Sequence, residues 1–368
     1  MHGCRVVTWS ESARILLRGQ LEALSEIEWS VVSGDPFSDP PAHLRTYHVP
    51  MRREPALSDF RAFWQLYRFF RRHRFAFVQT HTPKASLLGL PAARLAGLPT
   101  LYTMHGSLFF RDNSSRGNFA GWLFERWCTA WAGRVLLQSR EDAEVVPRAR
   151  ICSGAKVVHV GNGIDVEHFS SQRQPLPVGG TPVVLMISRL VSEKGCLDFF
   201  HVARALRSKA RFVHVGPVET DQRDAVTDEL IAELSSAGTV EFVGQVHDVR
   251  PQLGRATLVL LPSYREGIPR AAMEAAASGR PVVGYNVRGV REVIPPELGL
   301  LVRRGDVEAL TALVDALLGD PERISTLAVA CAQWVTAEFS ERVVCDRLRR
   351  VYTDVLGLGE PGGHHRPG

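Results

Sequence analysis

Glu266 and Glu274 flank Gly267 and Pro269 in the run Ser263-Tyr264-Arg265-Glu266-Gly267-Ile268-Pro269-Arg270-Ala271-Ala272-Met273-Glu274-Ala275, and two carboxylates at this spacing suggest ligand chemistry. Pro269 suits the first turn of a helix, where its missing N–H costs nothing, and residues 271–277 form helix strongly. Glu266 then lies in the loop before the helix and Glu274 one to two turns inside it. Helical side chains lean toward the N-terminus, so Glu274 points back at the helix mouth, and Gly267 has no Cβ to block close approach. The N–H groups of Gly267, Ile268 and Arg270, with the positive end of the helix dipole, suit a diphosphate. Carboxylates beside an anion site accept hydrogen bonds from neutral hydroxyls more readily than they bear phosphate, so a ribose on one side and a hexose on the other fits. Two Glu at this spacing alone also describe an ordinary helix with a solvated acid at each end.

A second stretch, Ile187-Ser188-Arg189-Leu190-Val191-Ser192-Glu193-Lys194-Gly195, follows the apolar run at 182–186. A buried strand that empties into a loop with Arg189 and Lys194 puts two cations at the C-terminal edge of a parallel sheet, where open α/β sheets bind ligands. In the first half, Val78-Gln79-Thr80-His81-Thr82-Pro83-Lys84 and Leu101-Tyr102-Thr103-Met104-His105-Gly106 are likewise apolar strands followed by polar residues. A fourth segment is Gly161-Asn162-Gly163-Ile164-Asp165.

Together these stretches resemble retaining glycosyltransferase family 4, and the His81-Thr82-Pro83-Lys84-Ala85 wording resembles its capsular-polysaccharide and lipid-linked-oligosaccharide branch. Glu266 and Glu274 match the family's E-x7-E motif. Residues 188–195 match its G-R-L-x-x-x-K-G loop, with Ser188 in place of the usual Gly. The resemblance implies the α/β GT-B fold, with two Rossmann-like domains facing a central cleft. It implies that Arg189 and Lys194 hold the donor diphosphate and stabilise the departing UDP, that Glu266 contacts donor-sugar hydroxyls, that Glu274 contacts the ribose, and that His105 packs against the sugar. Catalytic work would then fall to His105, Glu266, Arg189 and Lys194. Nucleotide binding would fall to Arg189, Lys194, Gly267, Ile268 and Glu274, with the loops after Gly216 and Gly244 bordering the nucleobase. One departure stands out: many members carry Gly-Gly after the first strand, where this chain has Thr8-Trp9-Ser10-Glu11-Ser12.

The implied reaction moves a hexosyl or N-acetylhexosaminyl group from a UDP-sugar to a hydroxyl, with retention and without a metal or other cofactor. The implied acceptor is a polyprenyl-diphosphate-linked sugar. Competing readings are a soluble acceptor, a nucleotide-sugar 2-epimerase-like isomerase, and a non-catalytic sugar-nucleotide-binding subunit.

The elements that must position these residues follow from length and pattern. A chain of 368 residues, 45% hydrophobic, exceeds the usual single-core size. Apolar runs alternate with amphipathic stretches, the pattern of helices on both faces of parallel sheets. Strands are expected near 4–8, 29–33, 75–80, 99–104, 134–138 and 156–160, then near 182–188, 210–216, 239–243, 256–262, 281–285 and 298–302. The expected divisions are an acceptor-side domain over 1–170, a nucleotide-sugar domain over 171–338, a helix over 339–356 crossing back to the first domain, and a disordered tail over 357–368. The breaker-rich interval 170–181 reads as a hinge, and His364-His365 is assigned no role.

No run of about 18 apolar residues is present, so no membrane-spanning helix is expected. The first residues lack an apolar region with a cleavage site, so secretion is not expected. Six scattered cysteines show no metal-ligand spacing and read as reduced thiols in the cytoplasm. Residues 1–170 hold 21 Lys and Arg against 15 Asp and Glu, although the whole chain carries only +5. Much of that excess lies in residues 60–74, where aromatics alternate with arginines. That stretch reads either as a helix lying peripherally on the inner face of the cytoplasmic membrane or as an ordinary helix with a core stripe and solvated arginines. Nucleic acid is not an expected partner, because no recognition motif accompanies the charge.

Overall fold

The computed structural model describes residues 1–17, 19–40, 44–52, 54, 56–106, 115–171, 176, 179–218 and 225–358. Half of the expected hinge at 170–181 and nearly all of the tail, with His364 and His365, lie outside these residues. The chain folds into two units, unit 1 comprising residues 1–163 and 341–368 and unit 2 residues 164–340.

Unit 1 is built on β1 (His2–Val6), β2 (Glu28–Ser33), β3 (Arg45–His48), β4 (Phe77–Thr80), β5 (Thr100–Met104), β6 (Arg134–Leu137) and β7 (Val157–His159). They form one sheet in the order β3-β2-β1-β4-β5-β6-β7, parallel at every pairing. Unit 2 holds β8 (Val183–Ile187), β9 (Arg211–Val215), β10 (Glu241–Gly244), β11 (Leu258–Leu261), β12 (Val282–Tyr285) and β13 (Leu301–Val302), in the parallel order β10-β9-β8-β11-β12-β13. Each sheet therefore grows outward in one direction from its first strand and then returns to add its fourth strand on the other side. The crevice between those two strands is a topological switch point, at β1/β4 and at β8/β11.

Central strands such as β4, β5, β11 and β12 are buried throughout, which explains why they read as near-continuous apolar runs. Helices cover both faces. In unit 2, Phe199, Val202, Ala203 and Leu206 of the helix Cys196–Leu206 join Val184, Met186 and Val213 in one core. In unit 1, Trp29, Phe77 and Leu101 pack with Val344, Leu348 and Tyr352 of the helix Glu341–Val355. Buried Arg5 ties that helix to β1. Its guanidinium lies 4.2 Å from the Trp29 ring centroid and donates to Gln20 Oε1 and Tyr352 Oη, each at 3.2 Å, and Tyr352 donates onward to Gln79 Oε1 at 2.7 Å.

Several expectations need correction. β3 is absent from the expected strands, because it is a four-residue edge strand with polar ends and no buried residue to give it a pattern. The last strand shrinks to Leu301–Val302, since Pro296–Leu298 closes into a 3-10 turn. The boundary between the units falls at 163/164 and not at 170/171, because the helix Val166–Ser170 belongs to unit 2, where Phe169 packs on the core and its carbonyl accepts from Ser278 Oγ at 3.5 Å. Pro269 is the N-cap in extended backbone (φ −72°, ψ 111°), so Arg270 opens the helix Arg270–Ala277.

Candidate functional site

In unit 2, β8 ends at Ile187 and delivers Ser188 and Arg189, and the 3-10 turn Ser192–Lys194 then places Lys194. Across the switch point, β11 ends at Leu261 and delivers Ser263 to Glu266. The two loops meet: Lys194 Nζ lies 2.7 Å from Glu266 Oε1, with both side chains mostly buried, and Tyr264 N donates to Glu193 O at 3.0 Å. Arg265 pairs with Glu193 at 2.6 Å. In the helix that follows, Arg270 Nε lies 3.6 Å from Glu274 Oε1, one turn apart. Each carboxylate of the motif thus has a cation beside it, which removes much of the repulsion a phosphate would otherwise meet.

Two glycines allow this packing. At Gly216, after β9, a Cβ would sit 1.8 Å from Ser188 O, and φ is +148°. The absence of a side chain at Gly216 lets the backbone of Ser188 and Arg189 approach the end of β9. At Gly289 (φ +78°) a Cβ would sit 1.4 Å from Gly267 O, so the backbone after β12 closes directly on the Glu266–Gly267 loop. Gly216 N donates to Gly244 O at 2.9 Å, which brings the ends of β9 and β10 together.

Supporting groups were not legible in the sequence. His214, buried in β9, lies 3.5 Å from Ser188 Oγ, and burial pulls its pKa down to about 4. Asp198, in the first turn of its helix, accepts from Tyr264 Oη at 2.7 Å and Tyr285 Oη at 2.5 Å, joining the ends of β11 and β12 to that helix. Burial and Asp198 together push the Tyr264 phenol up to about 12.

In unit 1 the switch point carries mostly neutral groups. Thr8 Oγ1 and Thr82 Oγ1 are 2.7 Å apart, and Ser10 donates to Asp35 through both N and Oγ. Trp9 stands half exposed where the Gly-Gly of the resemblance would lie. His105 follows β5, and its Nε2 lies 3.1 Å from Nδ1 of His81, which follows β4. Burial drives both rings toward the neutral form, His105 to about 4 and His81 well below its ordinary value, with the charge of Arg5 adding to the effect. One ring of the pair donates and the other accepts, so each fixes the tautomer of its neighbour. Lys84 is buried and paired with Asp59 at 2.5 Å. Among the described residues, no group of three or more His, Cys, Asp or Glu is placed to hold a metal ion.

A family model described as Glycosyltransferase Family 4 matches residues 20–168, and one described as Glycosyl transferases group 1 matches residues 181–320. The chain is 25% identical to the capsular polysaccharide biosynthesis glycosyltransferase CapM of Staphylococcus aureus, over 96% of this chain and 97% of that protein. It is 30% identical to the 2-deoxystreptamine N-acetyl-D-glucosaminyltransferase of Streptomyces fradiae, over 76% and 70%. The chain belongs to glycosyltransferase family 4. It is also 25% identical to the N,N'-diacetylbacillosaminyl-diphospho-undecaprenol alpha-1,3-N-acetylgalactosaminyltransferase of Campylobacter jejuni, over 76% of this chain and 77% of that protein. HepE of Anabaena, solved with UDP and glucose, superposes with a TM-score of 0.77 at 18% identity, over 95% of this chain and 99% of that one, which shows the GT-B fold. Within this glycosyltransferase, Arg189, Lys194, Gly216, Gly244, Glu266, Gly267, Ile268 and Glu274 all fall in the group 1 match and His105 in the family 4 match.

Proposed function

We propose that this glycosyltransferase moves a hexosyl or N-acetylhexosaminyl unit from a UDP-sugar to a hydroxyl of a polyprenyl-diphosphate-linked sugar, with retention at the anomeric carbon and without a metal. The observation that carries the donor side is the Lys194–Glu266 pair at the β8/β11 switch point, where Lys194 comes from the loop that also carries Arg189. As the bond from the anomeric carbon to the diphosphate lengthens, Lys194 and Arg189 stabilise the charge that collects on the departing phosphate. Glu266, held by Lys194, accepts from sugar hydroxyls, and Glu274 accepts from the ribose. Gly267 and Ile268 offer backbone N–H groups to the diphosphate, and the loops at Gly216 and Gly244 border the base. His105 contacts the sugar in its neutral form. With no second carboxylate assigned as a nucleophile, attack comes from the face of the leaving group, whose phosphate helps to take the acceptor proton.

The acceptor side is supported by relatives named for undecaprenyl-linked and capsular substrates. Residues 60–74 make peripheral contact with the inner face of the cytoplasmic membrane in this reading. Among the described residues no helix is long and apolar enough to cross a bilayer. The test is a panel of UDP- and GDP-sugars with lipid-linked and soluble acceptors, the product's anomeric configuration being read by NMR. An inverted product refutes the mechanism. Epimerisation of UDP-N-acetylglucosamine in the absence of acceptor replaces it with an isomerase.

A further inference from the structure

Unit 1 leaves an apolar groove open between three of its helices. Ala62, Leu66 and Phe70 of the helix Ser58–Arg72 are buried in the core, Phe63 packs at its edge, and Phe60 and Trp64 are turned away from it. Phe60 is 70% exposed and Trp64 54%. The helix Ser115–Trp131 contributes Trp127, 48% exposed, and Trp131, whose ring centroids lie 5.8 Å apart. Leu87, Leu88, Pro91 and Leu95 of the helix Pro83–Leu95 form the floor. The cavity so enclosed has a volume of about 970 Å³. Among its described lining residues Asp59 alone is ionisable, and Lys84 occupies that carboxylate.

Exposed apolar surface on this scale marks a binding site, because a chain gains nothing by leaving so many aromatics in water. A sugar would need hydroxyl partners along the walls, and these walls offer few. The occupant is identified by the charge that adjoins the groove. Trp64, Arg68 and Arg72 follow one another at intervals of four, with Arg71 two turns beyond Trp64, so the apolar row becomes a cationic row along the same helix. Arg61, Arg68, Arg71 and Arg72 are exposed, and none is ion-paired among the described residues. An apolar slot with arginines at one end complements an amphiphile with a hydrocarbon chain and a phosphate head.

We propose that this groove seats the hydrocarbon chain of the lipid-linked acceptor, with its phosphate or diphosphate against Arg68, Arg71 and Arg72. The inference rests on the reading of the acceptor as lipid-linked. It deepens that reading from contact with a membrane surface to a defined site for one chain.

The probe is farnesyl diphosphate below its aggregation concentration, titrated calorimetrically into the full chain with UDP present throughout. Inorganic diphosphate serves as the control without a chain. Wild type is expected to bind farnesyl diphosphate at least about tenfold more tightly than inorganic diphosphate. The double variant Phe60→Gln/Trp127→Gln, changed only at exposed positions, is expected to lose that advantage, and Arg68→Gln/Arg72→Gln to weaken both ligands. Leu95→Gln, on the third helix, gives an independent check if the double variant fails to fold. Equal binding of the two ligands by wild type, or unchanged farnesyl diphosphate binding in both groove variants, overturns the proposal.

Transfer assays with donor separate this failure from that of the functional reading. Groove binding without transfer to a farnesyl-diphosphate-linked sugar supports the groove and refutes the lipid-linked acceptor. Transfer that is indifferent to chain length and to Phe60→Gln/Trp127→Gln refutes the groove and leaves the acceptor reading standing.

Discussion

The carboxyl edges of the two sheets are built from one strand order and armed differently. At β8/β11 the chain sets out charges in pairs: Lys194 with Glu266, Arg265 with Glu193 and Arg270 with Glu274. At β1/β4, and beyond it at β5, it sets out hydroxyls and two neutral imidazoles, while Lys84 is withdrawn into a buried pair with Asp59. A pair of opposite charges in a half-buried crevice can be drawn apart by an anion that competes for the cation, whereas a histidine pair with both rings neutral presents hydrogen bonds without charge. The difference teaches that one scaffold separates two tasks: the sheet edge of unit 2 is suited to an anionic ligand and that of unit 1 to hydroxyls.

The most direct way to break this contrast is to remove the cation. Lys194→Ala is expected to lower turnover by about 10²–10³-fold, the usual cost of deleting a group aimed at developing charge. If Lys194 and Glu266 act as one unit, the double variant Lys194→Ala/Glu266→Ala falls little further than the worse single variant. Additive losses in the double cycle would show that the 2.7 Å contact has no bearing on the reaction. A Lys194→Ala enzyme with wild-type turnover would remove unit 2's charged edge from the mechanism.

His105→Asn should lower turnover by about tenfold while UDP affinity stays within twofold, because the imidazole is neutral and its proposed partner is the sugar. His81→Asn should act in the same direction and more weakly, since His81 works by orienting His105 through the 3.1 Å contact. Loss of UDP binding in either variant, read by calorimetry, would erase the division of labour between the edges. Glu274→Ala, by contrast, should raise the donor KM by about two- to tenfold with little change in kcat, as expected for one hydrogen bond to a ribose.

Each unit also holds a histidine whose pKa is lowered to about 4, His105 in unit 1 and His214 in unit 2. The unfolded chain takes up a proton at each near pH 6.5 and the folded chain does not until about pH 4. Their contribution to stability is therefore complete above about pH 6.5 and is lost as the pH falls toward 4, with a slope of at most about 1.4 kcal/mol per pH unit for each group. Urea midpoints between pH 7.5 and 4.5 should fall accordingly, and His214→Asn or His105→Asn should each flatten the curve. A flat wild-type profile would mean that neither ring is held neutral.

Much of this was legible from the chain because the informative features are local. A strand, a loop and a helix mouth lie within about twenty residues at 182–200 and again at 258–277, so motif spacing alone locates Arg189, Lys194, Glu266 and Glu274. What the sequence hid is what the sheet brings together. His81 and His105 meet because β4 and β5 are neighbours, with Thr80 opposite Tyr102. Lys194 meets Glu266 because β8 and β11 are neighbours. Most of residues 60–74 form a helix with a core stripe that includes Phe70, while Phe60 and Trp64 lie outside that stripe and are exposed. Periodicity marks an amphipathic helix but does not say which of its apolar residues the core covers.

The smallest expected effect is that of a chelator, and it sharpens the comparison from the other side. If the charge on the departing diphosphate is met by Arg189, Lys194 and the mouth of the helix Arg270–Ala277, no divalent cation is needed there, and EDTA should leave the initial rate within about twofold. Side-chain cations and a bound metal ion can do the same electrostatic work at a departing diphosphate. The decisive assay applies EDTA to wild type and to Lys194→Ala in parallel. A wild-type rate abolished by EDTA and restored by Mg²⁺ or Mn²⁺ would assign the neutralising charge to a metal, and the charged edge of unit 2 would then serve binding alone. A wild-type rate that survives, together with partial rescue of Lys194→Ala by added Mg²⁺, would show the lysine standing where other enzymes use a metal.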